Sequence, residues 1–137
     1  MVDALREAWR VLTPHGVLID VRPVTAPMDL EVAVASRAIW TTQVNSASAA
    51  EDAAADAAVE TAVANQWFAF VRRQPFDLEV LCDTAADLKL YVQKRKLREA
   101  EIPFEELSAR LRELGGRGQT AYLRCRRPWM LSVYHRR

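Results

Sequence analysis

The chain has 137 residues and a formal net charge of +1, from 19 Lys or Arg and 18 Asp or Glu. Hydrophobic residues make up 50% of it, which excludes a disordered chain, and the length suits one ordinary domain. The balanced charge argues against a polyanionic partner, and no apolar run approaches the ~20 residues of a membrane span. Two cysteines are too few for a disulfide scaffold or a four-thiolate zinc site, and no signal-peptide pattern opens the chain. We therefore expect a cytoplasmic protein.

The first predicted elements are a helix and a strand. Residues 3–12 have the apolar spacing of an amphipathic helix with Asp3 as its N-cap. Pro14 ends this helix, and Gly16 is expected to take the positive φ of the turn that follows. Residues 17–21 are apolar on both faces until Asp20 and rich in β-branched residues, which is typical of a strand buried on both sides.

A hairpin and an alanine-rich helix follow. Residues 30–44 alternate in polarity and predict a β-hairpin with its turn at Ser36-Arg37. Residues 45–48 are capping types, and the alanine-rich run at 49–65, with acids early, predicts a helix.

The C-terminal part predicts two strands and two helices. Residues 67–82 are aromatic and β-branched, and Pro75 within them predicts a bulge or a two-part edge strand. The following elements are a helix at 85–95 capped by Asp83-Thr84, a helix at 103–114 with Gly115-Gly116 as its C-cap, and one kinked or two short strands around Pro128, at 121–134. Together these elements predict an α/β (α+β) fold over one domain, residues 1–137, with a mixed β-sheet flanked by helices.

The segment Ala4–Asp20 resembles a late part of class I S-adenosylmethionine-dependent methyltransferases. In that family a helix ending in "RVL" and a "KPGG"-type turn lead into the fifth strand of a Rossmann-like sheet, and this chain has Arg10-Val11-Leu12 followed by Thr13-Pro14-His15-Gly16. The likeness covers about the first 20 residues well and is one of layout afterwards, ending in a final antiparallel strand. It implies the C-terminal half of a methyltransferase fold.

The departure from that family concerns the cofactor. The family binds S-adenosylmethionine through a glycine-rich turn after the first strand and an acid after the second, and both would lie upstream of Met1. The four glycines here (16, 115, 116 and 118) do not form such a turn. Either the start of the chain lies too far downstream, or the protein is naturally short; its own extra hairpin and helix favour the second.

The missing half bears on association. Strand 17–21 would lack its family neighbour, and an uncovered apolar edge is an aggregation hazard. The hairpin must cap it or a second chain must pair with it, so we predict a homodimer, or else a partner protein.

Two sets of residues are candidate sites. Asp20 and Arg22, at the end of the first strand, could form the rim of a ligand crevice, or simply an ion pair. Residues 1–66 carry a net charge of −5 and the remainder +6, and Arg124, Arg126 and Arg127 are a candidate anion or partner surface. Interleaved aromatics allow nucleic-acid binding, but the net charge argues against it.

Other residue types favour structural roles. His15 and His135 lack partners at ligand spacing, and Cys82 and Cys125 are expected to be buried apolar residues rather than catalytic thiols. We predict no catalytic, cofactor or metal residue. The leading hypothesis is a methyltransferase-like domain without its own cofactor site, not catalytic alone, acting through self-association or a partner. The alternatives are part of a functional methyltransferase whose cofactor half lies upstream or on another chain, and a small ligand- or nucleic-acid-binding module.

Overall fold

The computed structural model describes residues 1–45, 49–94 and 101–137. These ranges contain four helices and five strands. In chain order they are α1 (Val2–Val11), β1 (Val17–Pro23), β2 (Met28–Val34), β3 (Arg37–Val44), α2 (Ala49–Ala64), β4 (Phe68–Cys82), α3 (Ala85–Lys94), α4 (Phe104–Gly116) and β5 (Ala121–Arg136).

The strands form one antiparallel sheet in the order β1-β5-β2-β3, and β4 pairs with β5 as well. The part of β5 that precedes Pro128 pairs with β2, and the part that follows it pairs with β1. The fold is therefore α+β, and the antiparallel sheet replaces the expected mixed one. A two-residue hairpin joins β2 to β3, whereas parallel neighbours would need a long crossover.

By its contacts the chain forms two compact units, each with its own core. The first takes in residues 1–25, 48–76 and 128–137, and the second takes in residues 26–47 and 77–127. The sequence predicts one domain over residues 1–137, and the contacts within the chain form these two units.

The core of the first unit lies between helices α1 and α2 and one face of the sheet. Phe68 and Tyr134 are almost fully buried there, and Leu18 of β1 packs against them. Trp9 of α1 stacks on Trp67, and its indole N–H donates to the Arg137 carbonyl. These contacts hold the end of the chain against α1.

The core of the second unit lies between the β2–β3–β5 side of the sheet and helices α3 and α4. Fully buried aliphatic side chains from β2, α3, α4 and β5 form this core. They include Leu30, Val32, Leu88, Val92, Leu107 and Leu123. Cys82 and Cys125 are buried in the same cluster as free thiols. Burial raises the pKa of Cys125 to about 12, so this thiol is unreactive at neutral pH, which confirms its interpretation as a buried apolar residue.

Two turns use different residues from those expected. His15, not Gly16, takes a positive φ of 64°. Gly16 is needed for another reason, because a Cβ there would come within 2.8 Å of the Thr13 carbonyl oxygen. The hairpin turn has positive φ at Ala35 and Ser36, one residue before the predicted position.

Helix ends also differ from prediction. Helix α1 begins one residue early, so Asp3 lies in its first turn and Met1 is the N-cap. Helix α4 includes Gly115-Gly116, so these two glycines are not its C-cap. The residue with the positive φ that terminates the helix is Gly118, two positions beyond Gly116, and its φ is 73°. The Gly118 and Gln119 amides donate to the Gly115 and Leu114 carbonyls, which is a Schellman motif.

Strands β4 and β5 are each continuous, so neither Pro75 nor Pro128 divides its strand. Pro75 is tolerated because β4 has β5 as its only neighbour in the described part of the chain, which leaves one side of β4 without ladder bonds. The predicted caps at 46–48 and the end of the third helix at Arg95 lie outside the described residues. None of the described helices has the length and apolarity needed to cross a membrane.

The predicted cap of α3 is confirmed. The Thr84 hydroxyl accepts a hydrogen bond from the Asp87 amide at 3.1 Å, and the Asp87 carboxylate accepts one from the Thr84 amide. We expect Thr84→Ala to lower the free energy of unfolding by about 1 kcal/mol, because the Asp87 amide and the Asp87 carboxylate both lose their hydrogen bond to the Thr84 hydroxyl. Urea unfolding followed by circular dichroism measures the change. Thr84→Ser keeps the hydroxyl and serves as the control, and an equal loss in both variants would contradict the capping role.

Candidate functional site

Strand β1 is solvent-exposed on one face, contrary to the prediction that it is buried on both. Val17, Ile19 and Val21 are 47%, 60% and 44% exposed, whereas Leu18 packs in the core of the first unit. Side chains alternate between the two faces of a strand, and helices cover only the Leu18 face. A short apolar run in the sequence therefore marks an exposed face here.

The exposed side chains continue onto β5. Val17 pairs with His135, Ile19 with Val133 and Val21 with Leu131, and directly opposed residues of an antiparallel pair lie on the same face, so His135 borders the apolar residues at one end. Trp129, opposite Pro23, is next along β5. We call this surface the open face and define it as Val17, Ile19, Val21, Trp129, Leu131 and Val133.

The open face is apolar and has support from β4. None of its six residues carries a charge, and the three from β5 are half-buried. The ring of Phe76 lies 6.3 Å from that of Trp129 and is itself 38% exposed. This aromatic contact joins the open face to β4.

The edge of β1 has no strand beside it in the described part of the chain. The hairpin was one of two expected ways to cap this edge, but β2 pairs with β5 instead. Pairing with a second chain is the other expected way and stays a prediction.

The predicted rim residues Asp20 and Arg22 lie on the opposite face of β1. The Arg22 Nε atom donates to both Asp20 carboxylate oxygens, at 2.9 and 2.8 Å, which confirms the ion-pair interpretation. The guanidinium also lies 3.0 Å from the Asp56 carboxylate of α2. Two acids therefore hold Arg22 in a fixed position.

A small polar cleft surrounds this pair. Its further lining includes Arg73 of β4 and the buried Ser132 of β5, and its volume is about 90 Å³. Pockets that enclose a small-molecule ligand usually have 300–1,000 Å³. The cleft is thus too small for an adenosyl group, and its role as a ligand rim stays a prediction.

The glycines do not fit S-adenosylmethionine either. Gly16 precedes β1, Gly115 and Gly116 lie within α4, and Gly118 ends that helix. No glycine in the described part of the chain follows a strand into a helix, which is where the backbone would have to approach the cofactor closely.

Two of the three residues of the candidate anion surface, Arg124 and Arg126, are paired with an acid, and a role of the Arg124, Arg126 and Arg127 surface in binding stays a prediction. Glu31 is 2% exposed, and its carboxylate accepts hydrogen bonds from Arg124, at 2.5 Å, and from Arg126. Burial by itself raises the pKa of Glu31. The hydrogen bonds and charges of the two guanidinium groups lower the pKa by a larger amount, so the net pKa lies below its ordinary value of 4.5. The cluster therefore stabilises the sheet, and Arg124 and Arg126 have their charges compensated.

Sequence reasoning missed Glu31 because alternation in β2 predicts an outward acid. The signal that could have found it is the pair of arginines two positions apart in β5, which presents two cations on one face of a neighbouring strand. Sequence reasoning also missed the open face, because the mostly apolar run at residues 17–21 does not show which face of the strand other elements cover.

The two histidines were expected to have structural roles. His15 is exposed in its turn and His135 is exposed near the end of β5. Within the described ranges no group of three His, Cys, Asp or Glu side chains could hold a metal ion. No family model, no curated protein and no solved structure matches this chain.

Proposed function

We propose that the chain is a methyltransferase-like domain without its own cofactor site, not catalytic alone, which works by associating with another protein chain through the open face. The observation that carries this proposal is the exposure of Val17, Ile19 and Val21 on one face of the β1–β5 strand pair. A folded chain gains free energy when such side chains leave water, at roughly 25 cal/mol per Å² of apolar area.

The position of the apolar residues favours association over chance exposure. Single exposed apolar side chains are normal on any protein, but neighbouring ones on paired strands form a patch, and patches mark interaction sites. The charged residues of β1, Asp20 and Arg22, lie on the opposite face and keep their own partners. The six residues of the open face carry no charge, and the titratable His135 lies at its end, opposite Val17.

The proposed absence of a cofactor site is supported by the glycine positions and by the size of the polar cleft. The methyltransferase part of the proposal rests on the resemblance of residues 4–20 alone, because the sheet is antiparallel throughout its described pairs, whereas the resemblance implies a Rossmann-like sheet with one final antiparallel strand. The free thiols of Cys82 and Cys125 suit the reducing cytoplasm, where we place the protein.

Association is tested on the tagged chain isolated from the cells that naturally make it. We expect a complex heavier than one 15.5 kDa chain, and Ile19→Lys should release the single chain because a lysine in an apolar contact is buried without a partner. Val11→Lys is the matched control, since Val11 is 66% exposed at the end of α1 and lies off the open face. A single chain from the wild type at native concentration would contradict the proposal.

The cofactor part has a separate measurement. Calorimetric titration of the purified chain with S-adenosylmethionine should show no saturable binding. Saturable binding by the chain alone would contradict the absence of a cofactor site, and binding by the isolated complex alone would favour a methyltransferase whose cofactor half is on another chain.

A further inference from the structure

We propose that the polar cleft beside Asp20 and Arg22 binds the carboxylate group of a small monocarboxylic acid. The cleft lies within the first unit, on the opposite face of β1 from the open face, so this inference is independent of the proposed association. Three observations support it: the fixed position of Arg22, the hydrogen-bond donors that line the cleft, and the charge and volume of the cleft.

Arg22 is held so that part of its guanidinium is left for a ligand. Its Nε atom donates to Asp20, and its Nη2 atom lies 3.0 Å from the Asp56 carboxylate. A guanidinium carries five N–H groups in a rigid fork, so these contacts leave its Nη1 atom available. An arginine that acids already fix in place loses little conformational entropy when it binds an anion.

Arg73 and Ser132 add donors from the neighbouring strands. The guanidinium of Arg73 lines the cleft, lies over the Phe70 ring at 5.9 Å from its centre, and forms no ion pair in the described part of the chain. Ser132 lies directly across from Asp20 and lines the cleft, although the residue is only 2% exposed. Its hydroxyl makes no hydrogen bond to another described residue. Buried hydroxyl groups nearly always have a hydrogen-bonding partner, so this one calls for a polar group within the cleft.

The charge of the cleft favours an anion with one negative charge. The two carboxylates already accept from Arg22, so the groups left for a ligand are N–H and O–H donors, which pair with an anion. Asp20 and Asp56 balance the charges of Arg22 and Arg73. A phosphate, with about 1.5 to 2 negative charges at neutral pH, would therefore be repelled more strongly than a carboxylate.

The volume of the cleft sets an upper limit on the size of the ligand. About 90 Å³ is the share of about three water molecules in the liquid. A carboxylate with one or two further atoms fits this space, and its two oxygens match the paired N–H groups of a guanidinium. We therefore expect acids of the size of formate and acetate to bind.

The test is a titration of the purified chain with sodium acetate, followed by its amide signals in ¹H–¹⁵N NMR spectra. The signals of Ser132 and Arg73 should shift along a saturable curve with a dissociation constant of about 1 to 10 mM, because so small a ligand makes few contacts. Sodium chloride at the same ionic strength should give no saturable shift. Sodium phosphate should bind at least about 10-fold more weakly than acetate.

Matched variants distinguish the cleft from a general attraction of anions to the surface. Arg73→Gln should raise the dissociation constant for acetate at least about 10-fold, as the loss of one charge-assisted hydrogen bond predicts. Arg72→Gln removes the same charge from the next residue, which is exposed and does not line the cleft, and should change the constant by less than about 2-fold. Ser132→Ala should raise it about 5-fold. Circular dichroism confirms that each variant is folded.

Three results overturn the proposal. The first is a set of acetate shifts that do not saturate, or that chloride reproduces. The second is an equal effect of Arg73→Gln and Arg72→Gln, which would mean that the cleft is not the place of binding. The third is tighter binding of phosphate than of acetate, which would replace the carboxylate by a different anion.

Discussion

Replacing Glu31 by Gln should lower the free energy of unfolding by about 3–5 kcal/mol, because it breaks a buried ion pair by removing one partner. The side chain is 3% exposed and pairs with Arg124, which is 13% exposed, and with Arg126. The amide keeps the size of the carboxylate but removes the buried negative charge that both guanidinium groups share; Arg126 keeps only the weaker influence of Asp77 and Asp29. Urea unfolding at neutral pH measures the loss, and Glu79→Gln, at an exposed position of β4, should change it by less than about 0.5 kcal/mol.

The dependence of the free energy of unfolding on pH is a second test of the Glu31 ion pair. The pKa of Glu31 is below its ordinary value of 4.5 in the folded chain, so its pairing stabilises the protein above that pH. The contribution is lost as the pH falls through the lowered pKa, because the carboxyl group then takes up a proton and loses its charge. The difference between wild type and Glu31→Gln should therefore be largest near neutral pH and shrink below pH 4.5. A difference that is constant with pH would contradict the ion-pair explanation.

Replacing Phe68 by Ala should lower the free energy of unfolding by about 3–5 kcal/mol, because it leaves a cavity in the core of the first unit. Phe68 is 1% exposed and packs with Tyr134 and with residues of α1 and α2. Hydrogen exchange read by mass spectrometry should show faster exchange in α1, α2 and β1.

The control for this variant is the same substitution two residues further along β4. Phe70 is 52% exposed and contacts Tyr134 edge-on at 5.8 Å. Its truncation loses that contact and only part of the apolar burial, so the loss should stay below about 1.5 kcal/mol. Equal losses for Phe68→Ala and Phe70→Ala would mean that Phe68 is not a member of a tightly packed core.

Local signals in the sequence predicted most of the elements. The alternation in residues 30–44 predicted the hairpin, the alanine-rich run predicted α2, and Thr84 predicted the cap of α3, because each depends on neighbours within a few residues. The helix ends were less accurate, since Gly118 and Gly115 are equally able to adopt a positive φ and the packing of α4 decides between them.

Long-range pairing could not be predicted in this way. The partners of Glu31 lie 93 and 95 residues away in the chain, so nothing near Glu31 in the sequence shows that it is buried. The same holds for β1, whose apolar residues do not reveal that helices cover only one face. The Asp20–Arg22 pair was predictable, because residues two apart on a strand point to the same side.

Strand β1 separates two different surfaces by the thickness of a single backbone. Its odd-numbered residues, Ile19 and Val21, belong to the open face, and its even-numbered residues, Asp20 and Arg22, line the polar cleft. A shift or twist of these seven residues moves both sets of side chains together. Protein engineers who alter one surface of this strand will have to check the other, because the two are mechanically linked.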